Sequence, residues 1–275
     1  MSSSTEKLLY RPFIIYCKMA SDISWKKIYD DCGMGQHDFS KAPFILTAKQ
    51  IKVACQDFKN TAEKEVRILC KQDSREDRPQ IFKDKNLFIL PKHNGYYYIV
   101  KGEGYVDIPD IVTPILTYNS KLDFELKSSS IGDSEMQHLD YAYANSLIRT
   151  FMGDPSLVLT IRGRKYTPPF SFVTNGITLS TESVQTEVDA GYEGRESIVL
   201  IEAKNANTSN TIIRQLYYPY RQWKEATGKS VYPVFFEKRL VDGEEIYYIW
   251  QYEFTNPVDY NSIRLVKSAR YRIVR

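Results

Sequence analysis

Histidine and cysteine are scarce in this 275-residue chain, which has three of the first and four of the second. His37, His93 and His138 are too scattered to suggest a histidine-based metal centre. Cys17, Cys32, Cys55 and Cys70 form no CxxC pair. A tetrahedral zinc site normally announces itself by close ligand pairs, so structural zinc is not expected. There is no run of about 18 apolar residues and no apolar signal-peptide core at the N-terminus. The expectation is a cytoplasmic protein with reduced thiols and no membrane association. Excess charge of one sign is also lacking. A net charge of +3 excludes a polycationic coat for nucleic acid, so any such binding must come from local clusters of Lys and Arg.

What is present is the composition of a packed domain, 43% hydrophobic and 26% charged. The 21 tyrosines suit strands and half-buried faces, and can also stack at nucleic-acid surfaces. The first part of the chain reads as a small α+β unit. Ser24 to Cys32 forms a short helix stopped by Gly33, and a second helix opens at the N-cap Thr47 and carries Ile51, Val53, Ala54 and Phe58. Asp77-Arg78-Pro79 opens a third helix through Phe82. Leu87–Leu90 and Tyr96–Val100 then flank Lys92-His-Asn-Gly95, a hairpin signalled by Asn-Gly. Helices followed by a hairpin are the ingredients of a winged helix.

The stretch from Tyr105 to Ile131 is irregular and contains Pro109, Pro114 and Ser128-Ser-Ser130. It places a boundary between a recognition or accessory unit, 1–125, and a second unit, 126–275. Ser134 caps a long helix with Met136, Leu139, Tyr143, Leu147 and Phe151 on one face, ended by Gly153-Asp154-Pro155. Strands dominate next, at 157–161, 170–173, 177–179, 184–189 and 198–204. A polar loop, 205–210, leads into a helix over 212–223, which Pro219 must kink or divide. Residues 231–236 and 246–254 form a further hairpin. The pattern predicts a mixed sheet flanked by helices.

The chemistry concentrates where two of those strands end. Strand side chains alternate faces, so Glu187 and Asp189 point one way together, and so do Glu202 and Lys204. If the strands pair, carboxylates and one ammonium converge. Phosphodiester hydrolysis needs a nucleophilic water and compensation for phosphate charge, and Mg²⁺ held by carboxylate oxygens supplies both. Asp189 and Glu202 would hold the ion with the Ala203 carbonyl, and Lys204 would orient the water and offset phosphate charge. An Asp followed by ExK is a weak pattern by itself. Its setting, at the end of the apolar run Ile198–Ile201, is stronger. An ion pair between Glu202 and Lys204 at a strand edge accounts for the same residues, and on the residues alone the two readings stand level.

The stretch from Arg162 to Trp223 resembles the core of the PD-(D/E)XK nucleases found among type II restriction endonucleases. Ile161-Arg-Gly-Arg-Lys165, Val184-Gln-Thr-Glu-Val-Asp-Ala-Gly-Tyr-Glu193, Leu200-Ile-Glu-Ala-Lys-Asn205 and Arg214-Gln-Leu-Tyr-Tyr-Pro-Tyr220 carry the resemblance. In the first half, Asp73-Ser-Arg-Glu-Asp-Arg-Pro79 and Leu87 to Tyr105 resemble the N-terminal domains of such enzymes more faintly. The resemblance implies Asp189 as the motif acid and Glu202 with Lys204 as the ExK pair, although Val188 stands where the motif has proline. It also implies Mg²⁺, replaceable by Mn²⁺, double-stranded DNA as substrate, a homodimer and a cognate DNA methyltransferase. The runner-up readings are another PD-(D/E)XK nuclease, for repair, junction resolution or transposition, and an inactive DNA-binding regulator.

Several residues support the site with an ordinary role open beside each. Gln215 corresponds to a helical Gln that approaches the site in related nucleases, or is a helix surface residue. Glu135 supplies a further acid, or merely complements a helix N-terminus. Arg162 and Arg164, with Lys165, bind phosphate or a guanine edge, or the arginines pair with Glu182 or Glu187. Lys92 and His93 touch the DNA backbone from the hairpin tip, or sit in a solvated turn.

Overall fold

The computed structural model describes residues 21–205 and 207–274; Cys17 lies outside them. Helix α1 (residues 21–31) ends at Gly33, whose φ of 71° is left-handed, as the sequence indicated. Strand β1 (Phe44–Thr47) follows, then α2 (Ala48–Ala54), capped by Thr47 and Gln50 in a reciprocal capping box. Short helices α3 (Thr61–Lys64) and α4 (Val66–Leu69) precede a 3-10 turn at Arg75–Asp77 and helix α5 (Gln80–Lys85). Strands β2 (Leu87–His93) and β3 (Tyr96–Lys101) turn at Asn94-Gly95, and β1, β3 and β2 form an antiparallel three-stranded sheet in that order.

The remainder is mixed α/β. Strands β4 (Tyr105–Asp107) and β5 (Leu116–Asn119) lead to helices α6 (Glu135–Ala144) and α7 (Leu147–Met152). The single long helix expected from Ser134 is thus two helices. Asn145 caps the first through its amide bond to the Tyr141 carbonyl, and Ser146 takes a left-handed φ of 64°, which a helix cannot continue through. Met136, expected on the core face, is exposed at the first turn of α6. Strands β6 (Val158–Tyr166), β7 (Phe170–Thr174), β8 (Ile177–Thr181), β9 (Gln185–Glu193), β10 (Ser197–Lys204) and β11 (Asn210–Ile212) follow. Helix α8 (Ile213–Thr227) is continuous through Pro219, and β12 (Ser230–Val241), β13 (Glu244–Phe254) and β14 (Ile263–Val274) complete the described chain. The large sheet has the order β5-β14-β13-β12-β10-β9-β6. Its β6–β9–β10 portion is antiparallel, and β10 crosses through α8 to the parallel strand β12. The ribbon β7–β8 stands apart from it. Two strands from the stretch before residue 126 belong with this part: β5 pairs β14, and β4 pairs β11.

Alternation sorts the side chains into two layers. Val199, Ile201 and Ala203 pack with Leu139, Leu147 and Phe151 under α6 and α7. Ile198 and Leu200 face the other way, into a core with Leu216 and Tyr217 of α8, Phe172 of the ribbon, and Phe88 and Leu90 of β2. Leu87 and Ile89, the alternate residues of β2, enter a third core with Trp25, Ile51 and Phe82. The β2–β3 hairpin is therefore shared between the first unit's own core and the large sheet. Among the described residues no helix is long and apolar enough to cross a membrane.

Gly104 sits at that junction. Its carbonyl accepts from the Ile213 N–H at 3.0 Å and the Tyr260 hydroxyl at 3.2 Å. A methyl group on it would run into the buried ring of Phe88. With the backbone held on its other side, Gly104→Ala is expected to lose about 1–3 kcal/mol of stability by overpacking. A urea midpoint indistinguishable from wild type would show that the hairpin can give way.

Candidate functional site

The antiparallel ladder between β9 and β10 runs from Ile198 opposite Glu193 to Ile201 opposite Ala190. The next opposed residues are Glu202 and Asp189, and there the strands part. The Ala203 N–H is satisfied by Asp189 Oδ2 at 2.8 Å. On its other side β10 stays paired to β12, with Glu202 beside Phe235 and Lys204 beside Glu237. Glu202 and Lys204 share the face of Ile198 and Leu200, so both project toward α8 and the first unit. The apolar residues that bury this strand carry a carboxylate into the interior at its end.

Glu202 is 8% exposed, and its Oε1 accepts from Lys204 Nζ at 2.5 Å. Burial pushes the Glu202 carboxyl up, to about 7; the negative charges of Asp189 and Asp73 act in the same direction, and Lys204 opposes them. Burial by itself lowers the Lys204 ammonium, but Glu202, Asp189 and Glu135 outweigh it and leave it raised. The cluster thus concentrates negative charge that one ammonium only partly offsets.

These residues line a cleft of about 660 Å³ between the end of the large sheet, the start of α8 and the first unit. Glu187 lines it as well and pairs with Arg164, Nε to Oε2 3.3 Å. Gln215 reaches the same cleft from α8, its Oε1 accepting from the Thr211 hydroxyl at 2.7 Å. Pro219, four residues on, leaves the Gln215 carbonyl without its helical N–H partner. Glu135 closes the end of β10 by accepting from the Asn205 N–H at 3.2 Å.

The arginines do not share a face. Bulges on either side of Ile161, with Gly163 at φ 72°, break the alternation of β6. Arg162 pairs with Asp140 of α6, away from the cleft, while Arg164 lines it. Lys165 is exposed. His93 is not in a loop: it is the last residue of β2, opposite Tyr96, and its ring packs on Tyr96 with centroids 4.1 Å apart. It lines the cleft, whereas Lys92 holds its ammonium over the Tyr98 ring. Sequence reasoning missed Arg67, Lys71, Asp73, Tyr166 and Arg214, which also line it. Asp73 and Arg214 each open a segment that carries the resemblance, but neither was singled out as a site residue. Among the described residues, no three His, Cys, Asp or Glu side chains form a metal-binding group by themselves.

A large mixed sheet flanked by helices, with an acid–acid–lysine cluster where two of its strands part, defines the second unit. The chain belongs to the family described as Domain of unknown function (DUF6997), whose model matches residues 100–272. A second model, Domain of unknown function (DUF6996), matches residues 22–99, so the two meet within β3. No curated protein and no solved structure matches the chain.

Proposed function

We propose that this protein is a Mg²⁺-dependent endodeoxyribonuclease of the PD-(D/E)XK type, a site-specific type II restriction endonuclease acting on duplex DNA. The observation that carries the reading is the convergence of Asp189, Glu202 and Lys204 at the parting of β9 and β10, inside one cleft. The order helix, three antiparallel strands, crossover helix, parallel strand supports it as the frame expected for such a core. Two carboxylates and the Ala203 carbonyl fit Mg²⁺, which commonly takes one or two carboxylates and leaves its other positions to water and phosphate. The crowding of negative charge around the buried Glu202 calls for such a counter-ion. When bound, the ion supplies Lewis-acid polarisation of a phosphoryl oxygen and acidifies water.

The chain's own residues do the rest. Asp189, anchored by the Ala203 N–H, has a fixed carboxylate. Lys204, held by Glu202, keeps its ammonium at the strand end, where it offsets phosphate charge and orients the attacking water. Arg164 and His93 flank the cluster and serve the backbone or the bases. The reading carries with it a homodimer matched to a palindromic site and a methyltransferase that protects host DNA. The first unit, including its hairpin, would be the reader of sequence.

Plasmid cleavage tests the reading. Cutting is expected in Mg²⁺ or Mn²⁺, absent in chelator, and replaced by binding alone in Ca²⁺. Full cleavage in excess chelator would contradict it. The split between the arginines gives a second test. Arg164→Ala should weaken metal-free DNA binding and flatten its dependence on log salt by about 0.9, as for one lost phosphate contact. Arg162→Ala should leave both unchanged, because Arg162 pairs with Asp140 of α6 and does not line the cleft. Equal losses from both variants, measured by fluorescence anisotropy over a salt series, would count against this division.

A further inference from the structure

Lys71 and Asp73 lie between α4 and the 3-10 turn, and Arg214 is in the first turn of α8. All three line the cleft that holds Asp189, Glu202 and Lys204. One carboxylate faces both cations: Asp73 Oδ2 is 3.7 Å from Lys71 Nζ, and Oδ1 is 3.8 Å from an Arg214 terminal nitrogen. These are charge contacts, longer than the roughly 2.7–3.2 Å of a hydrogen bond. Among the described residues nothing else accepts from the Arg214 guanidinium, although its side chain is only 25% exposed. A guanidinium carries five donors, and those of Arg214 that the protein does not meet open into the cleft, where a ligand can take them. The backbone around it is fixed. The Asp73 carbonyl accepts from the Ile212 N–H at 2.8 Å, and Asn210 holds the Arg75 N–H at 2.7 Å and the Glu76 carboxylate at 2.9 Å. Two cations from different units are therefore aimed at one point in the cleft with a single, loosely engaged counter-charge.

We propose that Lys71 and Arg214 form a clamp for a DNA phosphate beside the catalytic cluster, with Asp73 as their counter-charge until DNA arrives. The inference rests on the nuclease reading for its ligand. Arginine takes a phosphate through two parallel N–H bonds, and lysine adds a point charge. A phosphate there neutralises what Asp73 leaves over, and the clamp spans both units, so DNA in the cleft engages the first unit and the large sheet together.

The test is metal-free binding of a fluorescein-labelled mixed-sequence duplex by the full chain, followed by anisotropy over a salt series. Lys71→Ala and Arg214→Ala are each expected to weaken binding and to flatten the slope against log salt by about 0.9. The advantage of wild type over either variant should grow about threefold as salt falls from about 200 to about 50 mM. Asp73→Asn removes the competing carboxylate and should bind as tightly as wild type or more tightly. Lys52→Ala, outside the cleft, should be neutral. Wild-type affinity and slope in both cation variants overturns the clamp, and so does an Asp73→Asn protein that loses affinity as Arg214→Ala does. If thermal melts show that Arg214→Ala does not fold, the well-exposed Lys71 carries the test. Because binding is read without metal, a protein that binds with these slopes but never cuts leaves the clamp standing and sinks the nuclease reading. A protein that cuts while both cation variants bind like wild type does the reverse.

Discussion

Glu202→Ala is expected to fold like wild type and to cleave DNA slower by a factor of at least about 10²–10³, the usual loss when one preorganised electrostatic partner leaves an active site. Asp189→Ala and Lys204→Ala should fall as far. Metal-free DNA affinity separates the three. Removing either acid takes negative charge away from the approaching phosphates, so affinity holds or rises. Removing Lys204 takes away the cluster's cation, so affinity holds or falls. A purely structural Glu202–Lys204 pair forecasts something else. Exposed ion pairs contribute about 0–1 kcal/mol, and although Glu202 is buried, breaking a structural pair would appear in the melting curve and not in the cleavage rate. The measurements are single-turnover cleavage, metal-free binding and thermal melts on all three variants. A folded Glu202→Ala protein cutting near the wild-type rate removes this residue from the site.

The second large effect concerns stability. Trp250 is fully buried in β13, its ring stacked on Tyr248 at 5.9 Å between centroids and edge-on to Phe235 at 5.9 Å. Its indole N–H donates to the Pro109 carbonyl at 2.8 Å, and the Tyr252 hydroxyl donates to the Asp107 carbonyl at 2.7 Å. These bonds fasten the segment after β4 onto the large sheet. Trp250→Ala leaves a cavity and an unpaired carbonyl, and should destabilise by about 3–5 kcal/mol. Trp250→Phe keeps most of the volume and loses the donor, at about 1–3 kcal/mol. Urea denaturation should show lower midpoints with unchanged slope. A loss below about 1 kcal/mol for the alanine variant would mean that the Pro- and Ser-containing stretch is not anchored in this way.

Local signals were legible in the sequence where local chemistry decides the structure. Asn94-Gly95 marked the β2–β3 turn, Thr47 the start of α2, and the run from Ile198 to Ile201 the buried strand that carries the acid and the lysine. Period-two alternation was enough to put Glu202 and Lys204 on one face. Expectations failed where a single residue changed the backbone: Ser146 divides the helix after Ser134, and the bulges about Ile161 send Arg162 to Asp140 instead of beside Arg164. Long-range pairing was also invisible. Strand β5 joins the sheet through β14, more than a hundred residues away, and nothing in Leu116–Asn119 announces that partner. The cleft itself depends on the first unit packing over the sheet end. Lys71 and Asp73 therefore reach the site from a part of the chain where no catalytic pattern is present.

The most direct measurement is a digest of sequenced genomic DNA by the purified full chain in Mg²⁺, with the ends sequenced and the reaction repeated in chelator. Discrete ends sharing one short sequence, bearing 5′-phosphates and absent from the chelator reaction, are expected. DNA left intact in both Mg²⁺ and Mn²⁺ by a folded protein, or cut equally well in chelator, would contradict a metal-dependent nuclease centred on Asp189, Glu202 and Lys204.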